Sequence, residues 1–307
     1  MAGPSRNGGH EKLLTTTLAL AVFLLFQAEP TVRSVSFAAV DEKGAPVEGL
    51  SREEVAVVEN GVAREPTRLE PDPRPLRLAL IVDTSRPVAS QLRLHVVDAV
   101  AAFVQRLPEG TQYAVWTTGD RPTKALDYTT DRQAAARTLK RTLLDGGNTL
   151  LDAVMEATQD MKAWLARTEQ AEVRPTVVIV TGAGIGFTSH DRRQVVDRAS
   201  RTGLVFSGVA FLEGGGPEGG PGSDPQTVGR MDYDYVVGTL AERTGGLYES
   251  TLSAMGVDDA LDKIAADLAG RYRVSYATLS ESRTGKVEVK VARPGVKVRV
   301  GPPPSTP

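Results

Sequence analysis

"LRLALIVDTSRP", residues 76–87, is the stretch on which the reading of this chain turns. Leu76 to Val82 is apolar apart from Arg77 and shows no polar alternation, which predicts a strand buried on both faces. Three later runs share that character: "YAVWTT" (113–118), "TVVIVT" (176–181) and "LVFSGVAF" (204–211). Between them lie segments with apolar residues at three- and four-residue steps, such as Leu92, Val96, Val100, Phe103, Val104 and Leu107. Similar patterns in 132–144, 149–166, 191–200, 235–246 and 255–270 predict further helices. Strand and helix alternating through short links predict an α/β fold, a doubly wound, mostly parallel sheet with helices on both faces.

Outward from this unit the pattern changes. Residues 34–71 alternate apolar and polar positions over short runs, predicting an N-terminal β-rich segment of about three strands. Asn60-Gly61 marks a hairpin, because both residues tolerate the positive φ of a type I′ turn. "PDPRP" (71–75) then breaks the pattern and sets a boundary before a unit spanning 76–270. After it, "RYRVSYATL", "GKVEVKVA" and "VKVRVG" within 271–300 alternate strictly and predict antiparallel strands that complete a small β module. Residues 301–307 are expected to trail into solvent. The glycine- and proline-rich 212–232 is expected to be a surface loop, with Asp232 and Asp234 at the start of the helix that follows.

At the other end, "LLTTTLALAVFLLF" (13–26) follows Arg6, His10 and Lys12. The run is shorter than the roughly 20 residues of a spanning helix and matches the core of a signal peptide. Residues 1–28 are therefore read as an export signal, with an uncleaved N-terminal anchor as the alternative. The folded part is expected to be secreted, periplasmic or in the cell envelope.

Composition excludes several chemistries. There is no cysteine, hence no disulfide, thiolate metal site or cysteine nucleophile. The formal net charge is −2 with both signs mixed, and aromatics make up 5%, so neither a basic surface nor a stacking platform for nucleic acid is present. His95 and His190 have no second histidine at ligand spacing, and Trp116 and Trp164 read as core residues. No hydrolase motif occurs. "VVIVTGAGIGFTSH" has a glycine-rich loop at 182–186, but Phe187 stands where a phosphate loop needs glycine or lysine. A nucleotide-binding protein or an enzyme using that loop remains the alternative to a binding module.

In an open parallel sheet, ligands bind in the crevice beyond the carboxyl ends of the strands. Asp83 and Ser85 lie there, as do "GGNTLLDA" (146–153), in which Thr149 opens a helix, and "TGAGIG" (181–186). In their order, "LIVDTS", "GGNTLLDAV", "VVIVT" and "LAERTGG" resemble the von Willebrand factor A domain, a fold of adhesion and protein-interaction modules. With its flanks the chain is similar to the secreted bacterial von Willebrand factor A-related proteins of the acidobacterial type. The resemblance implies a non-enzymatic module that binds a protein or cell-envelope partner. It also implies a metal-ion-dependent adhesion site, built from an Asp-x-Ser-x-Ser run, a threonine and a third-loop aspartate around Mg²⁺. Asp83, Ser85 and Thr149 match that pattern, whereas Pro87 and Gly182 replace two expected ligands. Neither Asp145 nor Asp152 is placed to restore the missing acid. The site is therefore expected to hold no metal, or Mg²⁺ only weakly, with Asp83 and Ser85 free to cap a helix or tie the loop.

Overall fold

The computed structural model describes residues 1, 3, 31–144, 146–168, 172–182, 186–211, 225–278 and 285–303, with side chains undescribed for 225–232. The export-signal reading and residues 304–307 therefore fall almost wholly outside the described part. The N-terminal strands are β1 (Thr31–Val40), β2 (Val55–Glu59), β3 (Val62–Arg64) and β4 (Pro66–Pro71). The central unit runs β5 (Leu76–Val82), α1 (Ala89–Gln91), α2 (Val97–Arg106), β6 (Gln112–Thr117), β7 (Thr123–Thr129), α3 (Ala134–Arg141) and α4 (Leu150–Arg167). It continues through β8 (Arg174–Gly182), α5 (Arg192–Ala199), β9 (Val205–Phe211), α6 (Pro225–Thr244), β10 (Tyr248–Thr251) and α7 (Val257–Ala269). The chain returns through β11 (Tyr272–Thr278), β12 (Val287–Val291) and β13 (Lys297–Val300).

Six strands form the main sheet in the order β10-β9-β8-β5-β6-β7, parallel except for the β6–β7 pair. Its centre is β5, and the alternation of its side chains explains the layers on each side. Leu76, Leu78, Leu80 and Val82 enter the core shared with α2, α3 and α7, while Ala79 and Ile81 enter the core shared with α4, α5 and α6. A strand apolar on both faces needs cover on both. The stripe from Leu92 to Leu107 is buried as its spacing predicts, with a π-helical turn over Leu92–Val96 ahead of α2.

The two flanks meet. β1 pairs antiparallel with β11 and β13, and β11 with β4, so segments from either side of the central unit share one sheet. A second sheet, β12-β2-β3, packs on it over Phe37, Val57, Val274 and Tyr276. Asn60 (φ 52) and Gly61 (φ 80) make the expected hairpin turn. Arginines fasten the place where the chain enters the sheet domain and returns to the β module. Arg174 donates through Nε to the Arg74 carbonyl at 2.8 Å and through Nη1 to the Leu268 carbonyl at 2.7 Å. Asp267 pairs with both Arg271 and Arg299.

The structure corrects four expectations. Residues 31–71 give four strands shared between two sheets rather than a unit of about three, because the partners of β1 and β4 arrive from the chain's other end. The sheet gains two edge strands, β7 and β10. α6 begins at Pro225, inside the expected loop, since proline fits a first helical turn where its missing N–H costs no bond. Asp234 consequently lies within the helix, where it accepts from the Tyr248 hydroxyl at 2.6 Å. Finally, Gly301 is buried and donates to the Ser36 carbonyl at 2.8 Å, so the chain does not leave the fold at 301.

Candidate functional site

At the carboxyl edge β5 ends and the chain turns outward at Asp83. Three loops meet on this residue, which is 2% exposed. Its Oδ1 accepts from the Ser85 N–H at 3.0 Å and the Thr118 hydroxyl at 3.3 Å. Its Oδ2 accepts from Asn148 Nδ2 at 2.7 Å, the Gly182 N–H at 3.1 Å and the Thr181 hydroxyl at 3.2 Å. Every donor is neutral. Burial pushes the Asp83 carboxyl above its ordinary value, against the opposing pull of the hydrogen bonds from Ser85, Gly182 and Thr181.

Ser85 and Thr149 sit in the same crevice. The Thr149 hydroxyl is buried and makes no hydrogen bond, the Ser85 hydroxyl is buried against Asp83 and opposes the rise of its carboxyl, and neither residue caps a helix through its side chain. From the second loop it is Asn148, not Thr149, whose side chain meets Asp83. Asn148 also accepts from the Leu150 N–H at 3.0 Å, fixing the turn into α4. Its backbone carbonyl takes the Phe187 N–H at 2.8 Å and the Tyr233 hydroxyl at 3.0 Å. The Arg86 N–H reaches the Gly146 carbonyl at 3.2 Å, joining the first loop to the second.

The two departures from the motif differ in kind. Pro87 lies exposed in a 3-10 turn, Arg86–Val88, and has no hydroxyl to offer. Gly182 is enclosed: a Cβ there would lie 2.3 Å from Val88 Cγ1 and 3.0 Å from the Phe211 ring. Asp152 is engaged elsewhere, with His190 Nδ1 at 2.5 Å and the Ser189 hydroxyl at 2.8 Å. Burial opposes its ionisation, but hydrogen bonds from His190, Ser189 and Thr188 outweigh that and hold its carboxyl below the ordinary value. Asp145 and residues 183–185 of the glycine-rich loop lie outside the described residues. Among the described residues no group of three or more histidine, aspartate or glutamate side chains is arranged to hold a metal ion.

Asn148, Thr118 and Thr181 escaped the reading of the sequence. For Asn148 a signal existed: a polar residue between two glycines and a helix start, next to the threonine chosen as the ligand. Trp116 is buried in the core, whereas Trp164 is partly exposed and stacks on the Arg77 guanidinium, 3.8 Å from its ring centroid, with Tyr128 on that cation at 3.5 Å.

Residues 78–185 match the family described as von Willebrand factor type A domain. The sheet and helices that contain this match have a von Willebrand factor A-like α/β fold. Around it the fold is similar to proximal thread matrix protein 1 from the mussel byssus, at 16% identity and a TM-score of 0.47, covering 69% of this chain and 50% of that one. The chain thus spans half the length of the mussel protein, one structure of which has a zinc-occupied MIDAS motif. Manganese-loaded TRAP protein from Plasmodium vivax is similar at 12% identity and a TM-score of 0.47, over 74% of this chain and 82% of that one. A von Willebrand factor type A protein from Catenulispora acidiphila is similar at 11% identity and 0.47, over 90% and 74%. No curated protein matches the sequence.

Proposed function

We propose that this chain is an exported, non-enzymatic interaction module of the secreted, acidobacterial von Willebrand factor A type. It recognises a protein or cell-envelope partner through the carboxyl-edge loops around Asp83, Thr149 and Gly182. Domains of this family act in adhesion and protein interaction, some of them through a bound metal. The observation that carries the reading is the convergence of three loops on Asp83, with both of its oxygens taken by donors from within the chain.

Those donors leave the adhesion site degenerate. A dication needs lone pairs and balancing charge. Here the one carboxylate spends its lone pairs on N–H and O–H groups, and among the described residues no second acid is in contact with it. The Ser85 and Thr149 hydroxyls retain free lone pairs, but they carry no charge. The residues present therefore do not fit a resident Mg²⁺. A phosphate cradle at 182–186 is disfavoured for a related reason, since the Gly182 N–H it would use already serves Asp83. Among the described residues no helix is long and apolar enough to cross a membrane. Attachment to the envelope would rest on the partner or on residues 1–28.

The test is cross-linking and pull-down from the native envelope, with and without chelator, beside thermal melts in Mg²⁺, Mn²⁺, Ca²⁺ and ATP. A partner retained in chelator, and lost when the carboxyl-edge residues Arg86 and Phe187 are both replaced by alanine, is the expected result. Stabilisation by ATP alone would move the assignment to a nucleotide-binding protein.

A further inference from the structure

We infer that the Asn148 carboxamide takes, from within the chain, the place that a bound cation would hold against Asp83, so that the carboxyl-edge crevice is built to work without metal. The inference rests on the proposed function only for the location of the site.

Two independent features support it. The first is electrostatic. Asn148 Nδ2 makes the shortest contact to Asp83, 2.7 Å to Oδ2, and also reaches the Thr181 hydroxyl at 3.3 Å. A carboxamide N–H₂ offers two donors carrying partial positive charge, directed to the first and third loops together, as a bridging cation would be. The other end of the amide is fixed by the Leu150 N–H, so the donor end cannot flip without losing that bond. The second feature is steric. Restoring a third-loop carboxylate at Gly182 would drive its Cβ into Val88, which is fully buried, and against Phe211. A metal shell therefore lacks an acid at 182, and the room for one is filled with hydrocarbon. Asn148 is a positioning residue here: it holds Asp83 and joins three loops.

The substitution Asn148→Asp tests this with almost no change of shape. It turns the donor facing Asp83 into a second acceptor, leaving two buried carboxylates with no positive partner. Wild type should melt at the same temperature with and without millimolar Mn²⁺. N148D should melt roughly 5–10 °C lower, and Mn²⁺ should restore most of that loss. The rescue should vanish when Asp83→Asn is added. A merely structural asparagine would give the loss without the rescue. Should N148D fail to fold, Asn148→Thr supplies lone pairs without charge and should show a smaller, Asp83-dependent rise with Mn²⁺. The inference is overturned if Mn²⁺ stabilises wild type through Asp83, if N148D melts like wild type, or if the folded variants ignore Mn²⁺. Failure to capture a partner would count against the proposed function and leave these melts unaffected.

Discussion

Asp83 and Glu59 are both buried acids, yet they sit in opposite company. Glu59, at the end of β2 between the two small sheets, meets Arg33 Nη1 at 2.6 Å, Arg64 Nε at 3.3 Å, the Thr278 hydroxyl at 3.0 Å and the Tyr276 hydroxyl at 3.2 Å. Asp83 meets only neutral donors. Burial opposes ionisation in both. Around Glu59 the Arg33 guanidinium and the hydroxyls of Thr278 and Tyr276 outweigh it and hold the carboxyl low, whereas around Asp83 burial prevails. The difference separates two uses of a buried acid. Glu59 closes an ionic cluster that locks one sheet to the other, while Asp83 gathers loops at a rim where a partner would dock.

The largest effect should come from breaking the closed cluster. Glu59→Ala leaves Arg33 and Arg64 without their acid, and breaking a buried ion pair from one side costs about 3–5 kcal/mol. Asp83→Ala removes a charge with no counter-ion, so the cost is that of orphaned neutral donors, about 1–3 kcal/mol. Urea unfolding of both variants measures the order directly. If Asp83→Ala proves the more costly, the contrast between the two acids is wrong.

Acidity provides a sharper comparison, because the two groups should respond with opposite sign. The folded-state value of Glu59 is lowered, so its contribution is present above its unfolded value of about 4.3 and is lost as pH falls through the folded value. The value for Asp83 is raised, so its contribution is complete below about 3.9 and is lost as pH rises through the folded value. The deficit of Glu59→Gln relative to wild type should therefore shrink on acidification below that range. Asp83→Asn, by contrast, should improve relative to wild type as pH rises from about 4 towards 7. Urea midpoints for the three proteins at acid and neutral pH would show it. Slopes of the same sign would refute the opposed shifts.

How far this was legible in the sequence follows from the same physics. β5 was legible because a strand covered on both faces must be apolar at every inward position, and its carboxyl end located Asp83 without further information. The hairpin at Asn60-Gly61 was legible because few residue pairs tolerate that backbone. The edge strands β7 and β10 were not, since "TKALDYT" and "YEST" need only partial cover and carry polar residues accordingly. Asn148 was passed over because the partners of Asp83 come from positions 118, 148, 181 and 182, and nothing periodic links them. Nor does a one-dimensional pattern reveal that Val88 fills the space beside Gly182.

The smallest effects test whether the Asp83 cluster acts as a sum of weak bonds or as a unit. Thr118 and Thr181 donate at 3.3 and 3.2 Å, the two longest-range sequence partners that reach it through hydroxyls. Replacing either by valine keeps the shape and removes its bond to Asp83 together with one that its hydroxyl accepts, from the Thr84 N–H at Thr118 and from Asn148 Nδ2 at Thr181, which should cost about 1–2 kcal/mol. The two hydroxyls bind different oxygens of the carboxylate, so independent bonds would make the double variant additive within about 0.5 kcal/mol. A larger combined loss would mean that the donors polarise one another through the shared carboxylate. The loops would then stand or fall together, and a partner pressing on one of them would be felt at all three.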